Sequence, residues 1–194
     1  MLQVIVSGVL FKVQDSGLQY LLKRVGSRYL LPATDLQENE ALEAAVNRLA
    51  AGLINRQNIH WQQLHTYGEA SLPLRVVYLG ALPADAAPTG VEGYAWFPVG
   101  SPSRLGAQET HILEAALQEL RDRAVEGRLL FSFLPMEFTL GELQQVWELI
   151  HGERVDKRNF RRRIKATGLV ELTRKQRSGQ GRPARIYRLQ NTRL

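Results

Sequence analysis

Residues 156–168 read DKRNFRRRIKATG, six Lys or Arg residues around one Phe and one Ile. Asp156 is a good N-cap and Gly168 a good stop, so the spacing predicts a helix from 156 to about 167. Phe160 and Ile164 stand one helical turn apart and face inward. At about 100° per residue, Arg158, Arg161, Arg162 and Lys165 then point away from the core, with Asn159 at the N-terminal end. A charge run like this usually marks only a solvated surface. Its neighbours decide otherwise.

Upstream, FTLGELQQVWELIHG (138–152) sets Thr139 three residues before Glu142, a capping box ahead of an apolar run. Leu143, Val146, Trp147 and Ile150 make the buried stripe of that helix. Downstream, GLVELT (168–173) and ARIYRLQ (184–190) read as short strands around RKQRSGQGRP (174–183), a basic, Gly-containing loop. Helix, turn, basic helix and basic hairpin give the outline of a winged helix-turn-helix. Such a helix suits a major groove. Arg binds guanine and Asn adenine in bidentate fashion, while Lys157 and Arg163 are placed for phosphates. Arg177, Arg182 and Arg185 fall on the wing. The expected partner is double-stranded DNA.

The charge balance separates this segment from the rest. Residues 151–194 carry 14 Lys or Arg against 3 Asp or Glu, a balance of +11, and residues 1–150 carry 11 against 16, a balance of −5. An acidic body with a basic end facing a polyanion implies two tasks. No stretch approaches the roughly 20 consecutive apolar residues of a membrane span. The N-terminal MLQVIVSGVLFKVQ lacks the basic start and cleavage site of a signal peptide and reads as a strand. With no cysteine in the chain, a disulfide framework and a Cys-based zinc site are excluded, which agrees with a cytoplasmic protein.

Residues 2–24 have the pattern of a β-hairpin turning at QDSG, and residues 38–51 that of a helix with Leu42, Ala45, Val46 and Leu49 on one face. Strands follow in IHWQQLHTYGEA (59–70), LPLRVVYLGAL (72–82) and GYAWFPV (93–99), then an amphipathic helix over 107–126. The expected fold is α+β, with an α/β/α body over 1–127 and a winged helix over 128–194.

The segments FLPMEFTLGELQQVWELI, DKRNFRRRIKATGLVE and GRPARIYRL resemble the C-terminal half of the Nudix-related transcriptional regulators, which control NAD metabolism in bacteria. The N-terminal half agrees in order and spacing: LLKR, then LPATDLQENEALEAAVNRLAAGL where the Nudix box should lie, then YAWFPV. The resemblance covers essentially the whole chain. It implies a Nudix-like sensor domain ahead of the DNA-binding domain, a homodimeric repressor, and ADP-ribose or a related nucleotide as effector.

The Nudix box departs from the working pattern Gly-x5-Glu-x7-Arg-Glu-x2-Glu-Glu. Thr34 takes the Gly position, Glu40 and Arg48 match, and Leu49, Gly52 and Leu53 replace the three metal-binding carboxylates. Hard divalent cations need oxygen ligands, so these replacements leave no metal cage. The expectation is a domain that does not hydrolyse by the Nudix mechanism and needs no metal or cofactor. Glu40 and Arg48 are expected to survive as a structural, loop-anchoring pair. A diphosphate held without metal calls for Lys or Arg. The candidate ligand residues are Lys23, Arg24, Arg48 and Arg75, with Trp96 and Tyr94 as a stacking surface. His60, His65, His111 and His151 show no metal-ligand spacing. Three rival readings stay open at this point: a pyrophosphatase with a displaced metal site at Glu38, Glu40 and Glu43, a regulator answering to a sugar, and a purely structural or dimerising domain.

Overall fold

A computed structural model describes residues 3–14, 17–54, 59–68, 72–86, 91–101, 104–124, 128–177 and 183–190. The chain divides into two compact units, Met1–Glu119 and Leu120–Leu194.

In the first unit, β1 (Val4–Gln14) and β2 (Gly17–Val25) form the expected antiparallel hairpin. Two three-residue strands that sequence patterning misses follow, β3 (Arg28–Leu30) and β4 (Ala33–Asp35). Helix α1 (Leu42–Ala51) begins four residues later than the sequence suggests. Asn39 adopts a left-handed backbone with φ of 59°, and the Glu40 side chain folds back on Gln37 N at 3.0 Å, so 36–41 form a pinned loop instead of a first turn. Strands β5 (Trp61–Tyr67), β6 (Leu74–Leu82) and β7 (Tyr94–Pro98) and helix α2 (Ala107–Arg123) complete the elements. The seven-stranded mixed sheet has the order β3-β2-β1-β6-β5, with β4 added to β1 and β7 to β2. Only β1 and β6 pair in parallel among these strands.

Strand alternation sorts side chains onto two faces. Val6, Val76 and Tyr78 pack with Ala45 and Val46 of α1, while Leu10, Leu21 and Leu82 pack with Leu53 and Ile54 just beyond it. The opposite face carries Ser7 and Arg75, which reach residues of α2. The β5 edge closes around Trp61, whose indole N–H donates to Asn47 Oδ1 at 3.0 Å. Its ring lies over Gly8 and Gly80. A Cβ on Gly80 would come within 2.7 Å of that ring.

The second unit holds a 3-10 turn (Arg128–Phe133), β8 (Phe138–Thr139), α3 (Leu140–His151), α4 (Lys157–Ala166), β9 (Val170–Arg177) and β10 (Ala184–Leu189), with strand order β8-β10-β9. Its core gathers Leu143, Trp147, Ile150, Phe160, Ile164, Phe131, Phe138 and Tyr187. The Trp147 and Phe160 rings sit 6.1 Å apart, centroid to centroid. The division between units falls at Glu119/Leu120, eight residues before the expected boundary at 127. The end of α2 is tied into the second unit: Arg121 Nε donates to Ile150 O at 3.1 Å, and His151 contacts Arg121 O. Sequence periodicity marks where a helix runs, not which body its last turn packs with.

Candidate functional site

The recognition helix is built by local signals. Thr139 caps α3 by accepting from Glu142 N at 3.1 Å, and the Glu142 carboxylate returns to Thr139 N at 2.7 Å, both halves of the capping box. Gly152 ends α3 with φ of 74°, the left-handed conformation that glycine adopts without strain. Glu148 then fixes the turn: it accepts from Val155 N at 3.1 Å and from Gln144 Nε2 at 2.9 Å. Those hydrogen bonds, Gln144 foremost, hold its carboxyl below the usual carboxylate range. Asp156 follows and caps α4 by accepting from Asn159 N at 2.8 Å.

Phe160 and Ile164 are buried, and Lys157, Arg158, Asn159, Arg162, Arg163 and Lys165 are exposed. Arg162 Nη2 donates to Asn159 Oδ1 at 3.1 Å, so the Asn159 side chain is oriented by its neighbour one turn on. Arg161 departs from the outward direction expected of it. It is half-buried, and its Nε is shielded from solvent without a hydrogen-bond partner. The geometry explains this: Arg161 follows Phe160 directly and flanks the buried stripe, whereas Arg158, Arg162 and Lys165 lie across the helix from it.

On the wing, Arg185 is exposed opposite Gln176. Arg177 is not free: its guanidinium pairs with Glu142 of the capping box, which ties the base of the wing to α3. Lys175, beside it, pairs with Glu137 at 2.8 Å. Arg182 lies outside the described residues. Arg174, exposed on β9, is a further cation of the wing that sequence alone does not single out, because the alternation of a two-stranded hairpin is set by its pairing.

The first unit sorts its six ligand candidates differently from the sequence. Arg48 is consumed by the loop before α1. It donates to Glu40 through Nε and Nη2, both at 2.8 Å, to Thr34 Oγ1 at 2.9 Å and to Asp35 O at 2.9 Å. This is the loop-anchoring role expected of the pair. The hydrogen bonds from Arg48, with that from Gln37 N, hold the Glu40 carboxyl down to about 2. Arg75 also leaves the candidate group. It donates to Ser7 Oγ at 2.8 Å and pairs with Glu109 at 3.0 Å on the α2 face. Burial with a carboxylate partner explains its conformation without any ligand. Arg24 donates to Gly26 O at 3.3 Å within its own turn.

Lys23 and Trp96 share the α1 face of two neighbouring strands, each beside a different partner. Leu21 pairs with Trp96 and Lys23 with Tyr94 across β2 and β7. Lys23 Nζ stands 5.6 Å from the Tyr94 ring centroid, and Lys12 Nζ 4.7 Å from that of Trp96. Lys12 was missed. Its signal is a lone charge at an inward position of an apolar strand. One ring face of each aromatic is thus covered by an ammonium, which limits their use as a stacking surface. A cavity of about 280 Å³ opens on the other sheet face, lined by Phe11, Tyr20, Leu105, Leu113, Thr110 and Glu114, and contains none of the six candidates.

Among the described residues, no three His, Cys, Asp or Glu side chains gather where they could hold a metal ion. The Nudix metal fits poorly here for a direct reason. Leu49, Gly52 and Leu53 offer no oxygen side chain, and Glu40 is engaged by Arg48.

Residues 130–189 match the NrtR DNA-binding winged helix domain. The whole chain superposes on the NrtR of Shewanella oneidensis crystallised with a 27mer DNA, with a TM-score of 0.82, 28% identity, and coverage of 96% of this chain and 93% of that one. Over 130–189 the chain thus carries an NrtR-type winged helix, and over nearly its whole length it is similar to a Nudix-related regulator. It is also 28% identical, over 92% of its length and 78% of the relative's, to the ADPR responsive transcriptional repressor NtrR of Acinetobacter baylyi. The Nudix domain of the S. oneidensis protein, crystallised with ADP-ribose, matches 62% of this chain and 89% of its own at 22% identity and a TM-score of 0.52, which establishes the shared fold.

Proposed function

We propose that the chain is a sequence-specific DNA-binding repressor of genes of NAD-related metabolism. Its Nudix-like domain, residues 1–127 in the sequence reading, senses ADP-ribose or a related nucleotide without hydrolysing it, and residues 128–194 bind the operator. The observation that carries this reading is α4, a capped, core-anchored helix that exposes Arg158, Asn159, Arg162 and Lys165 together. The NrtR–DNA complex and the ADPR responsive repressor among its relatives support the partner and the effector. Non-enzymatic action follows from the replaced carboxylates at 49, 52 and 53. A regulator of this kind works beside the chromosome, in the cytoplasm.

One winged helix makes a small interface for tight binding, so the active species in this proposal is a homodimer on a palindrome whose half-sites lie one or two helical turns apart. The experiment is an anisotropy titration of the protein on duplexes selected from a random library, with and without ADP-ribose, paired with light scattering. The expected result is a selected site bound far more tightly than scrambled duplex, by a dimer, with an affinity that ADP-ribose changes. Equal affinity for selected and scrambled duplexes, or a monomer both free and on DNA, contradicts the proposal.

A further inference from the structure

The α1 face of the sheet contains a cluster that the network around Glu40 and Arg48 does not use. Lys12 is 8% exposed and lies in β1 between apolar neighbours. No carboxylate among the described residues pairs with it. Its cross-strand neighbour is Gln19, and Gln19 in turn faces Pro98, two pairs along from Leu21 and Trp96 and on the same face. Gln19 Oε1 and Trp96 Nε1 are both shielded from solvent without a hydrogen-bond partner among the described residues. Two shielded, unpaired polar atoms thus sit beside an ammonium that has only an aromatic ring for a partner among the described residues, in neighbouring positions on one face.

Each of these groups carries a cost. Holding a lysine at a mostly buried position without an anion is costly, and the cation–π contact to Trp96 offsets only part of it. Burial alone pushes the Lys12 ammonium below its ordinary value. An unpaired buried N–H or amide oxygen forfeits about 1–3 kcal/mol of desolvation. Native cores leave few such groups, so a cluster of them calls for a missing partner. The chemistry of that partner follows from the donors. An ammonium and an indole N–H side by side suit an anionic oxygen, and the Gln19 amide accepts from or donates to an adjacent hydroxyl or oxyanion according to its rotamer. Lys23, over Tyr94 on the same strand pair, adds a second cation at the exposed end.

We propose that Lys12, Gln19 and Trp96 form an anion subsite of the Nudix-like domain, which takes a phosphate oxygen of a diphosphate-bearing effector in place of the lost metal-assisted contacts. The inference rests on the reading of this domain as a nucleotide sensor. The cluster trades stability for binding: the side chains that cost folding energy when empty are those that hold the ligand.

The test uses the full chain, calorimetric titration, and the Trp96 indole N–H resonance assigned through Trp96→Phe. The probes are ADP-ribose and metal-free inorganic pyrophosphate. ADP-ribose is expected to shift the Trp96 resonance. Lys12→Met should weaken its binding by roughly tenfold or more while the thermal midpoint holds or rises. Trp96→Phe keeps the ring, removes only the N–H, and is expected to weaken binding without unfolding the domain. If ADP-ribose binds the wild-type chain and both variants equally, the sensor reading stands and the subsite is overturned. If the wild-type chain binds no ADP-ribose, the sensor reading fails and pyrophosphate decides. A saturable Trp96 shift lost in Lys12→Met supports the anion site, and no shift overturns it.

Discussion

Glu40 and Arg48, on the loop before α1 and on α1 itself, form a two-point ion pair with both N···O distances at 2.8 Å. In a working Nudix box this pair borders a metal cage. Here the same guanidinium also binds Thr34 Oγ1 and Asp35 O, so it clasps the loop instead. The pair is intact, while Leu49, Gly52 and Leu53 stand where the box pattern has carboxylates.

That clasp has a pH signature. The Glu40 carboxyl is held at about 2 against an ordinary 4.5. A depressed folded-state value stabilises the fold above the unfolded value, and the contribution fades as pH falls from 4.5 toward 2. Glu40→Gln should therefore lower the thermal midpoint at neutral pH, with the gap to wild type narrowing as the buffer is acidified through that window. A gap that stays constant with pH contradicts the clasp.

The next prediction separates base reading from charge. Arg158→Ala or Arg162→Ala should cost about 1–3 kcal/mol on a selected operator and much less on scrambled DNA. Arg162→Ala also releases the Asn159 side chain that it holds at 3.1 Å, so its effect should spread over more than one base position. Lys157→Ala should weaken both duplexes alike and reduce the salt slope by about one unit. Titrations at several salt concentrations check this. If every variant loses affinity equally on both duplexes, α4 acts only as a polycation.

Purified protein with Mg²⁺ or Mn²⁺ should leave ADP-ribose, NADH and other nucleoside diphosphate derivatives intact above background, because Leu49, Gly52 and Leu53 present no ligand oxygen. Chromatography of the reaction mixture reads this directly. Metal-dependent turnover abolished by Glu40→Gln would favour the pyrophosphatase reading instead.

Gly80 should tolerate no side chain. An alanine Cβ would stand 2.7 Å from Cζ3 of Trp61, and overpacking of this kind costs about 1–3 kcal/mol. Denaturant unfolding of Gly80→Ala should show that loss, and Trp61→Leu in the same chain should recover part of it by vacating the space. A neutral Gly80→Ala would mean that the Trp61 ring moves aside freely.

The second unit was largely legible in the sequence because its signals are short-range. Thr139 with Glu142, Asp156 with Asn159, and Phe160 with Ile164 are each separated by one helical turn, and each pair makes the contact or shares the burial that its spacing implies. The replacements at 49, 52 and 53 were equally plain, since a Leu or Gly in place of a carboxylate needs no fold to be read. The first unit's candidate ligand residues were not legible. Arg75 looked available until Ser7, 68 residues away, and Glu109, 34 residues away, were brought beside it. Lys12 looked like an ordinary strand residue until Gln19 and β7 enclosed its face. A cation's fate depends on whether a carboxylate or an aromatic ring faces it across strands. That is decided by sheet order and the burial it creates, which only the assembled tertiary structure fixes.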